Sequence, residues 1–209
     1  MKIILASQSP RRKILLKKII PDFEVIVSDA DENIKDYSSP ADFAVKAALL
    51  KAQLTMNLVK ITDVLIISAD TVVALDNNIY GKPVDKADVK RIISDLMGKY
   101  HQVITGFTIL YKKTGDYICD YDISEVKIKN LNALELENYS NNPDCYDKAG
   151  AYGIQEMKSF ENNNVVGNTT DFDIVESYNG SYDNIVGFPT EKFAIRFREF
   201  IKTRNLNLN

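Results

Sequence analysis

The chain has 209 residues, of which 45% are hydrophobic and 26% charged, and its formal net charge is −3. These values are typical of one globular domain or two closely packed lobes, and they argue against a generally basic nucleic-acid-binding protein. A single histidine excludes a zinc site built from several imidazoles of one chain, and two cysteines without CxxC spacing argue against a disulfide framework.

No apolar run approaches the roughly 20 residues that a membrane-spanning helix needs. Near the N-terminus, an apolar stretch too short for a signal peptide is followed, not preceded, by the basic pair Arg11-Arg12. We therefore expect a soluble, cytoplasmic protein with no membrane partner and no nucleic-acid partner.

The first elements are a strand and a helix. The apolar run Ile3–Ala6 predicts a short buried strand. Ser9-Pro10 follows, with a residue type that caps helices and a proline that the first helical turn accepts. The pattern predicts a helix from Pro10 to about Ile20, with its inward side chains at Ile14, Leu15 and Ile19.

The rest of the chain gives similar signals of caps, apolar runs and turn residues. In the first half of the chain we predict a strand over Phe23–Val27, a helix from Ser39-Pro40 to about Leu58, a central strand over Asp63–Ala69, a hairpin from Val72–Leu75 to Ile79–Tyr80 and a helix from Asp85 to Gly98. In the second half we predict strands over Val103–Tyr111 and Tyr117–Ile128, a short helix over Leu134–Tyr139 and a loop over Asn141–Gln155. A mobile insertion over about 158–171 and a last helix from Thr190 to about Thr203 follow. The order mixes βαβ units with hairpins, which predicts an α/β fold with a mixed sheet flanked by helices.

Arg11 and Arg12 stand in the predicted first turn of a helix, directly after a buried strand. Free N–H groups and partial positive charge already make a helix N-terminus an anion site, and Ser7 and Ser9 add hydroxyl donors. Ligands of α/β proteins bind beyond the carboxyl ends of strands, which favours a phosphate site here. The alternative is a solvated basic pair.

Asp70 follows the most hydrophobic predicted strand, where a charged group is costly unless it has partners. Glu32 ends another predicted strand, and two such carboxylates could hold one Mg²⁺ or Mn²⁺. The alternative for each of these two carboxylates is a structural role, such as the cap of a turn or helix.

Three lysines, Lys51, Lys82 and Lys148, could balance a polyphosphate, although any one of them is more often a solvated surface residue. The chain has no GxxxxGK[ST] pattern, which excludes a P-loop. His101 stands at the entry to a predicted strand without an obvious partner, and we expect it to be structural.

Six blocks, in this order, resemble the Maf family of nucleoside triphosphate pyrophosphatases. They are Ser7-Gln8-Ser9-Pro10-Arg11-Arg12, Ser68-Ala69-Asp70-Thr71-Val72-Val73, Gly81-Lys82-Pro83, Thr105-Gly106, Asp147-Lys148-Ala149-Gly150-Ala151-Tyr152-Gly153-Ile154-Gln155, and the segment from Gly180 to Pro189.

The resemblance implies a twisted mixed sheet with two lobes around a cleft, similar to inosine triphosphate pyrophosphatases. It also implies hydrolysis of a nucleoside triphosphate to the monophosphate and pyrophosphate with a divalent metal, Mg²⁺ or Mn²⁺, and a homodimer. The fifth block looks like the branch that acts on dTTP and UTP, although Glu156 stands where the family usually has glycine.

The expected residue roles combine what the resemblance implies for Asp70, Arg11, Thr71 and Gln155 with the charge and placement of the other residues. Asp70 would be the proton acceptor and, with Glu32, a metal ligand. The triphosphate, base and sugar would be bound by Ser7, Ser9, Arg11, Arg12, Lys51, Thr71, Lys82, Lys148 and Gln155. Arg11, Thr71 and Gln155 would influence the choice of nucleotide. The alternative is a nucleotide-binding regulator of septum formation without significant turnover.

Overall fold

The computed structural model describes residues 1–28, 34–154, 160–161, 164–165 and 174–207. The helices are α1 (Pro10–Lys17), α2 (Pro40–Leu58), α3 (Lys86–Leu96), α4 (Ala133–Tyr139), α5 (Tyr182–Val186) and α6 (Thr190–Thr203). The strands are β1 (Lys2–Leu5), β2 (Glu24–Val25), β3 (Val64–Leu75), β4 (Asn78–Tyr80), β5 (Tyr100–Tyr111), β6 (Asp116–Ile128), β7 (Phe160–Glu161), β8 (Asn164–Val165) and β9 (Val175–Asn179).

Seven of these strands form one sheet in the order β2-β1-β3-β5-β6-β9, with β4 also paired to β3. Strand β1 pairs in parallel with β2 and β3, whereas β4 and β9 run antiparallel to their partners. The sheet is therefore mixed, which confirms the prediction. None of the helices in the described part of the chain is long and apolar enough to cross a membrane.

The chain groups into two compact units. The first comprises residues 1–71, 104–122 and 187–209, and the second comprises residues 72–103 and 123–186. One core cluster of the first unit includes Ile4, Ala52, Val64, Ile66 and Leu110. The core of the second is formed around helix α3, whose buried residues are Val89, Ile92, Ile93 and Leu96.

The structure confirms three predicted helix N-caps. Ser9, Ser39 and Asp85 each accept a hydrogen bond from a backbone N–H in the first turn of the helix that follows. The β3–β4 hairpin turns through Asp76 and Asn77, which both adopt positive φ, at 49° and 65°. Positive φ at both residues of a two-residue turn matches the right-handed twist of the two strands that the turn joins.

Two expectations were wrong. The central strand does not stop before Asp70: β3 is continuous from Val64 to Leu75, because Thr71, Val72 and Val73 favour extended backbone. In α1 the buried residues are Leu15 and Leu16, while Ile14 is 65% exposed. The helix ends at Lys17, so it is too short for its apolar pattern to fix which face is inward.

The predicted mobile insertion over about 158–171 lies mostly outside the described residues. Only Phe160–Glu161 and Asn164–Val165 are described there, as a two-stranded pairing.

Helix α2 packs against the sheet through small side chains. Its buried face includes Ala44, Ala47, Ala48 and Ala52. A Cβ built at Gly106 of β5 would lie 2.5 Å from the backbone carbonyl of Ala44. The helix and the strand can approach this closely only because residue 106 has no side chain.

We expect Gly106→Ala to lower the free energy of unfolding by about 1–3 kcal/mol, because the added methyl group overpacks the contact with α2. Urea denaturation checks this. Gly81→Ala is the matched control, since a Cβ at Gly81 meets nothing within 4 Å. Its stability should change by less than about 1 kcal/mol. Equal stability of the two variants would contradict the proposed close packing.

Candidate active site

The loop between β1 and α1 lies beyond the carboxyl end of β1. Strand β1 pairs with β3 only as far as Leu5 opposite Ile67, so residues 68–71 of β3 extend past the end of β1. In this loop Ser7 Oγ accepts a hydrogen bond from the Ser9 amide at 3.2 Å, and Ser9 caps the helix. These contacts fix the helix N-terminus where a phosphate group is expected to bind.

Arg12 is held by three groups, two of which are far from it in the sequence. Its Nε donates to the carbonyl of Gly187 at 3.0 Å, its Nη2 to Thr71 Oγ1 at 3.1 Å, and its Nη1 to Ser7 Oγ at 3.4 Å. Arg11 is partly buried in the same first turn. The basic pair is therefore not simply solvated, as the alternative interpretation required.

Thr71 also contacts Thr105 of β5. The two hydroxyl oxygens lie 3.0 Å apart, and Thr105 is fully buried. Sequence reasoning gave no site role to Thr105 or to the carbonyl of Gly187. Both lie in blocks that carry the family resemblance, and that is the only signal in the sequence that could have found them.

Asp70 and Lys51 form a buried ion pair. Lys51 Nζ lies 2.5 Å from Asp70 Oδ1, and the two side chains are 9% and 14% exposed for Asp70 and Lys51 respectively. Lys51 reaches Asp70 from α2, whose alanine face brings the helix backbone close to the sheet. Asp70 thus lies inside a strand, not at its end, and the ammonium group offsets the cost of burying its charge.

Among the residues that the structure describes, no group of three His, Cys, Asp or Glu side chains could hold a metal ion. The predicted ligand Glu32 lies outside the described residues. The donor set nevertheless fits Mg²⁺, which proteins commonly bind through one or two carboxylates together with substrate phosphates. Asp70 is one such carboxylate.

The second unit carries Lys82 and Lys148 on loops that are hydrogen-bonded to each other. The amide of Gly150 donates to the carbonyl of Gly81 at 3.0 Å. Lys82 is exposed and Lys148 is partly buried. Gly150 has a φ of 71°, and a Cβ there would lie 2.7 Å from Val73, so this loop requires glycine. Gln155 lies outside the described residues.

Two buried side chains fix the end of this loop. Tyr139 donates its hydroxyl hydrogen to the carbonyl of Ala151 at 2.9 Å, and His101 Nε2 lies 2.6 Å from the hydroxyl of Tyr152. His101 is only 2% exposed, and burial lowers its pKa to about 4. It is a neutral packing residue at pH 7, in line with the structural role expected for it.

The order of motifs agrees with comparisons with known proteins. The family described as "Maf-like protein" matches residues 2–200. This chain belongs to the Maf family. A relative from Thermosipho africanus, named dTTP/UTP pyrophosphatase, is 45% identical over 192 residues, which cover 92% of this chain and 90% of the relative.

A relative of the same name from Desulforamulus reducens is 36% identical over 198 residues and covers 95% of this chain and 96% of its own length. Among solved structures, the Staphylococcus aureus Ham1 protein matches with a TM-score of 0.50 at 14% identity, over 99% of this chain and all of that one. That likeness supports the fold expected from the sequence.

His101 should make stability depend on pH. Its pKa is about 4 in the folded protein and 6.5 in the unfolded chain, so between these values the unfolded state binds more protons. The contribution of neutral His101 to the free energy of unfolding is therefore complete above pH 6.5. As the pH falls from 6.5 towards 4, this contribution decreases by roughly 3 kcal/mol. Urea unfolding at a series of pH values measures this.

The control is His101→Gln, which has no group that titrates in this range. Its free energy of unfolding should fall less steeply with decreasing pH than that of the wild type, since only the remaining titratable groups contribute. Parallel pH curves for the two proteins would show that His101 is not buried in its neutral form.

Proposed function

We propose that this protein hydrolyses nucleoside triphosphates to the monophosphate and pyrophosphate, with dTTP and UTP as its preferred substrates. Relatives that share 36–45% of its sequence over most of its length are named dTTP/UTP pyrophosphatase. The observation that carries the proposal is that Asp70 and the Arg12 partner Thr71 are consecutive residues of β3, past the point where β3 pairs with β1. A cation and a carboxylate are what this hydrolysis needs.

Two cationic side chains, Arg12 and Lys51, contact consecutive residues of β3. Arg12 binds Thr71 and Lys51 binds Asp70, and successive strand residues point to opposite sides of the sheet. Past the end of β1 this part of β3 has no β1 residue beside it. In this proposal the triphosphate lies along this part of β3 and meets the guanidinium of Arg12 on one side and the carboxylate of Asp70 on the other.

In the proposed mechanism Arg12 and the N-terminus of α1 bind the phosphate oxygens, with Arg11, Ser7 and Ser9 as further donors. Asp70 accepts a proton from the water that attacks the α-phosphorus. The bond from the α-phosphorus to the bridging oxygen then breaks, and pyrophosphate leaves with the electron pair.

Lys51 holds Asp70 in place in the absence of substrate and brings positive charge to the same point. Lys82 and Lys148 are proposed to add charge for the phosphates, and Gln155 to face the base. Asp70, with Glu32 as the second predicted ligand, would hold a divalent cation. When bound, that cation would neutralise phosphate charge and lower the pKa of a water molecule bound to it.

Asp70→Asn should lower kcat by two or more orders of magnitude, because the amide cannot accept the proton. It should also lower the free energy of unfolding, because Lys51 then lacks its counter-ion. The assay is release of pyrophosphate and monophosphate from a panel of nucleoside triphosphates with Mg²⁺ or Mn²⁺. Circular dichroism checks the fold.

Asp63→Asn is the matched control. Asp63 directly precedes β3, is exposed, and accepts a hydrogen bond from the hydroxyl of Tyr111 at 2.7 Å, which an asparagine can still accept. Its kcat should equal that of the wild type. Near wild-type turnover of Asp70→Asn would remove Asp70 from the mechanism, and tight nucleotide binding by the wild type without any turnover would favour the regulator.

A further inference from the structure

The turn that follows Lys148 has an unusual backbone. Gly150 and Ala151 are consecutive residues with positive φ, at 71° and 62°. Glycine adopts this left-handed conformation freely, whereas the Cβ of an alanine makes it unfavourable. Ala151 is also completely buried, in the core of the second unit. A left-handed alanine inside a core persists only where its surroundings hold it, and such residues are concentrated at functional sites.

Both polar backbone groups of Ala151 are hydrogen-bonded. Its N–H donates to the carbonyl of Lys148 at 3.1 Å, which closes the turn. Its carbonyl accepts from the hydroxyl of Tyr139 at 2.9 Å. Tyr139 is the last residue of α4 and is only 1% exposed, so the hydroxyl comes from a packed helix of the same unit. The Tyr139 side chain therefore holds the strained residue from outside the turn.

The turn also determines what the Lys148 side chain packs against. Two residues after Ala151 the chain passes this side chain, and a Cβ built at Gly153 would lie 2.9 Å from both Cδ and Cε of Lys148. The aliphatic part of the lysine therefore lies against backbone that has no side chain of its own. A change of conformation at Ala151 would move this backbone and, with it, the ammonium group of Lys148.

The placement of this ammonium matters because a lysine side chain is flexible. An unrestrained lysine loses rotamer freedom when it binds a phosphate, whereas a lysine that is already packed along a fixed backbone loses less. We propose that Tyr139 is a positioning residue that holds Ala151 in its left-handed conformation and thereby places the Lys148 ammonium for the phosphates of the substrate. This inference rests on the proposed function, since the triphosphate is the ligand that Lys148 would bind.

Tyr139→Phe removes only the hydroxyl. We expect the inhibition constant of inorganic tripolyphosphate to rise about three- to tenfold, in line with the loss of one hydrogen bond. The KM of dTTP should rise by the same factor. The kcat should change by less than about twofold, because a phosphate contact that is lost equally from substrate and transition state affects KM alone.

Gly153→Ala tests the second step without changing Tyr139. The φ of Gly153 lies outside the left-handed region, so the backbone accepts alanine there, and the new methyl group displaces the Lys148 side chain instead. The inhibition constant of tripolyphosphate should rise by a factor similar to that in Tyr139→Phe.

Double-mutant cycles test whether both effects pass through Lys148. In a Lys148→Ala background, Tyr139→Phe and Gly153→Ala should change the inhibition constant by less than about twofold, because the group that they place is gone. Effects of the same size with and without Lys148 would overturn the inference. So would an unchanged inhibition constant in Tyr139→Phe, or altered ratios of kcat/KM among dTTP, UTP and GTP without any change in tripolyphosphate inhibition.

Tyr111→Phe is the matched control. Tyr111 is a buried tyrosine of β5 whose hydroxyl donates to Asp63 Oδ1 at 2.7 Å, so this variant loses a similar hydrogen bond outside the turn. Its thermal stability should fall, while its KM and the inhibition constant of tripolyphosphate stay unchanged. Equal rises of the inhibition constant in Tyr111→Phe and Tyr139→Phe would reject a specific role of Tyr139. If Tyr139→Phe does not fold, Gly153→Ala and its cycle with Lys148→Ala decide the question.

Failure of the proposed function would be visible separately. If the wild type hydrolyses none of the nucleotides, calorimetric titration with tripolyphosphate still measures phosphate binding. Weaker binding by Tyr139→Phe and Gly153→Ala, with no further loss in the Lys148→Ala background, would then support the placement of Lys148 without the hydrolytic activity. Equal binding by the wild type and these two variants would reject it.

Discussion

The close approach of helix α2 to the sheet places Lys51 beside the buried carboxylate of Asp70. Alanines on α2 and the missing side chain at Gly106 bring the helix backbone against β5. From that distance Lys51 reaches Asp70, and Ser68 Oγ donates to the carbonyl of Ala48 at 2.6 Å. A larger residue in this contact would move the lysine and leave a charged group buried without its counter-ion, which is among the costliest changes in a protein interior.

Local signals were enough to predict much of the fold. Helix α2 begins at the predicted Ser39-Pro40 pair, and α6 spans the predicted Thr190–Thr203, because caps and helical periodicity act over a few residues. The extent of β3 was missed for the opposite reason. A charge in the middle of a buried strand is stable only with Lys51, and the contact between residues 19 positions apart is invisible to a local pattern.

The residue types of the candidate site could be predicted from the sequence, whereas the hydrogen bonds between those residues could not. Arg12 and Asp70 stood out because charged groups beside buried strands need a reason to be there. Thr105 did not, since a threonine in a strand is ordinary until its hydroxyl is seen beside Thr71. Lys82 and Lys148 were grouped by charge alone, whereas the structure connects their loops through a backbone hydrogen bond that no side-chain pattern could reveal.

The contact between Arg12 and Gly187 spans 175 residues of chain. A ribosome delivers the N-terminal segment first, so β1 and α1 emerge long before the carbonyl that orients the arginine. Until that late segment packs against the sheet, Arg12 of the nascent chain lacks its hydrogen bond to the Gly187 carbonyl. Long-range closures of this kind also slow folding. At the proposed phosphate site, the complete set of Arg12 contacts is therefore among the last features that the growing polypeptide acquires.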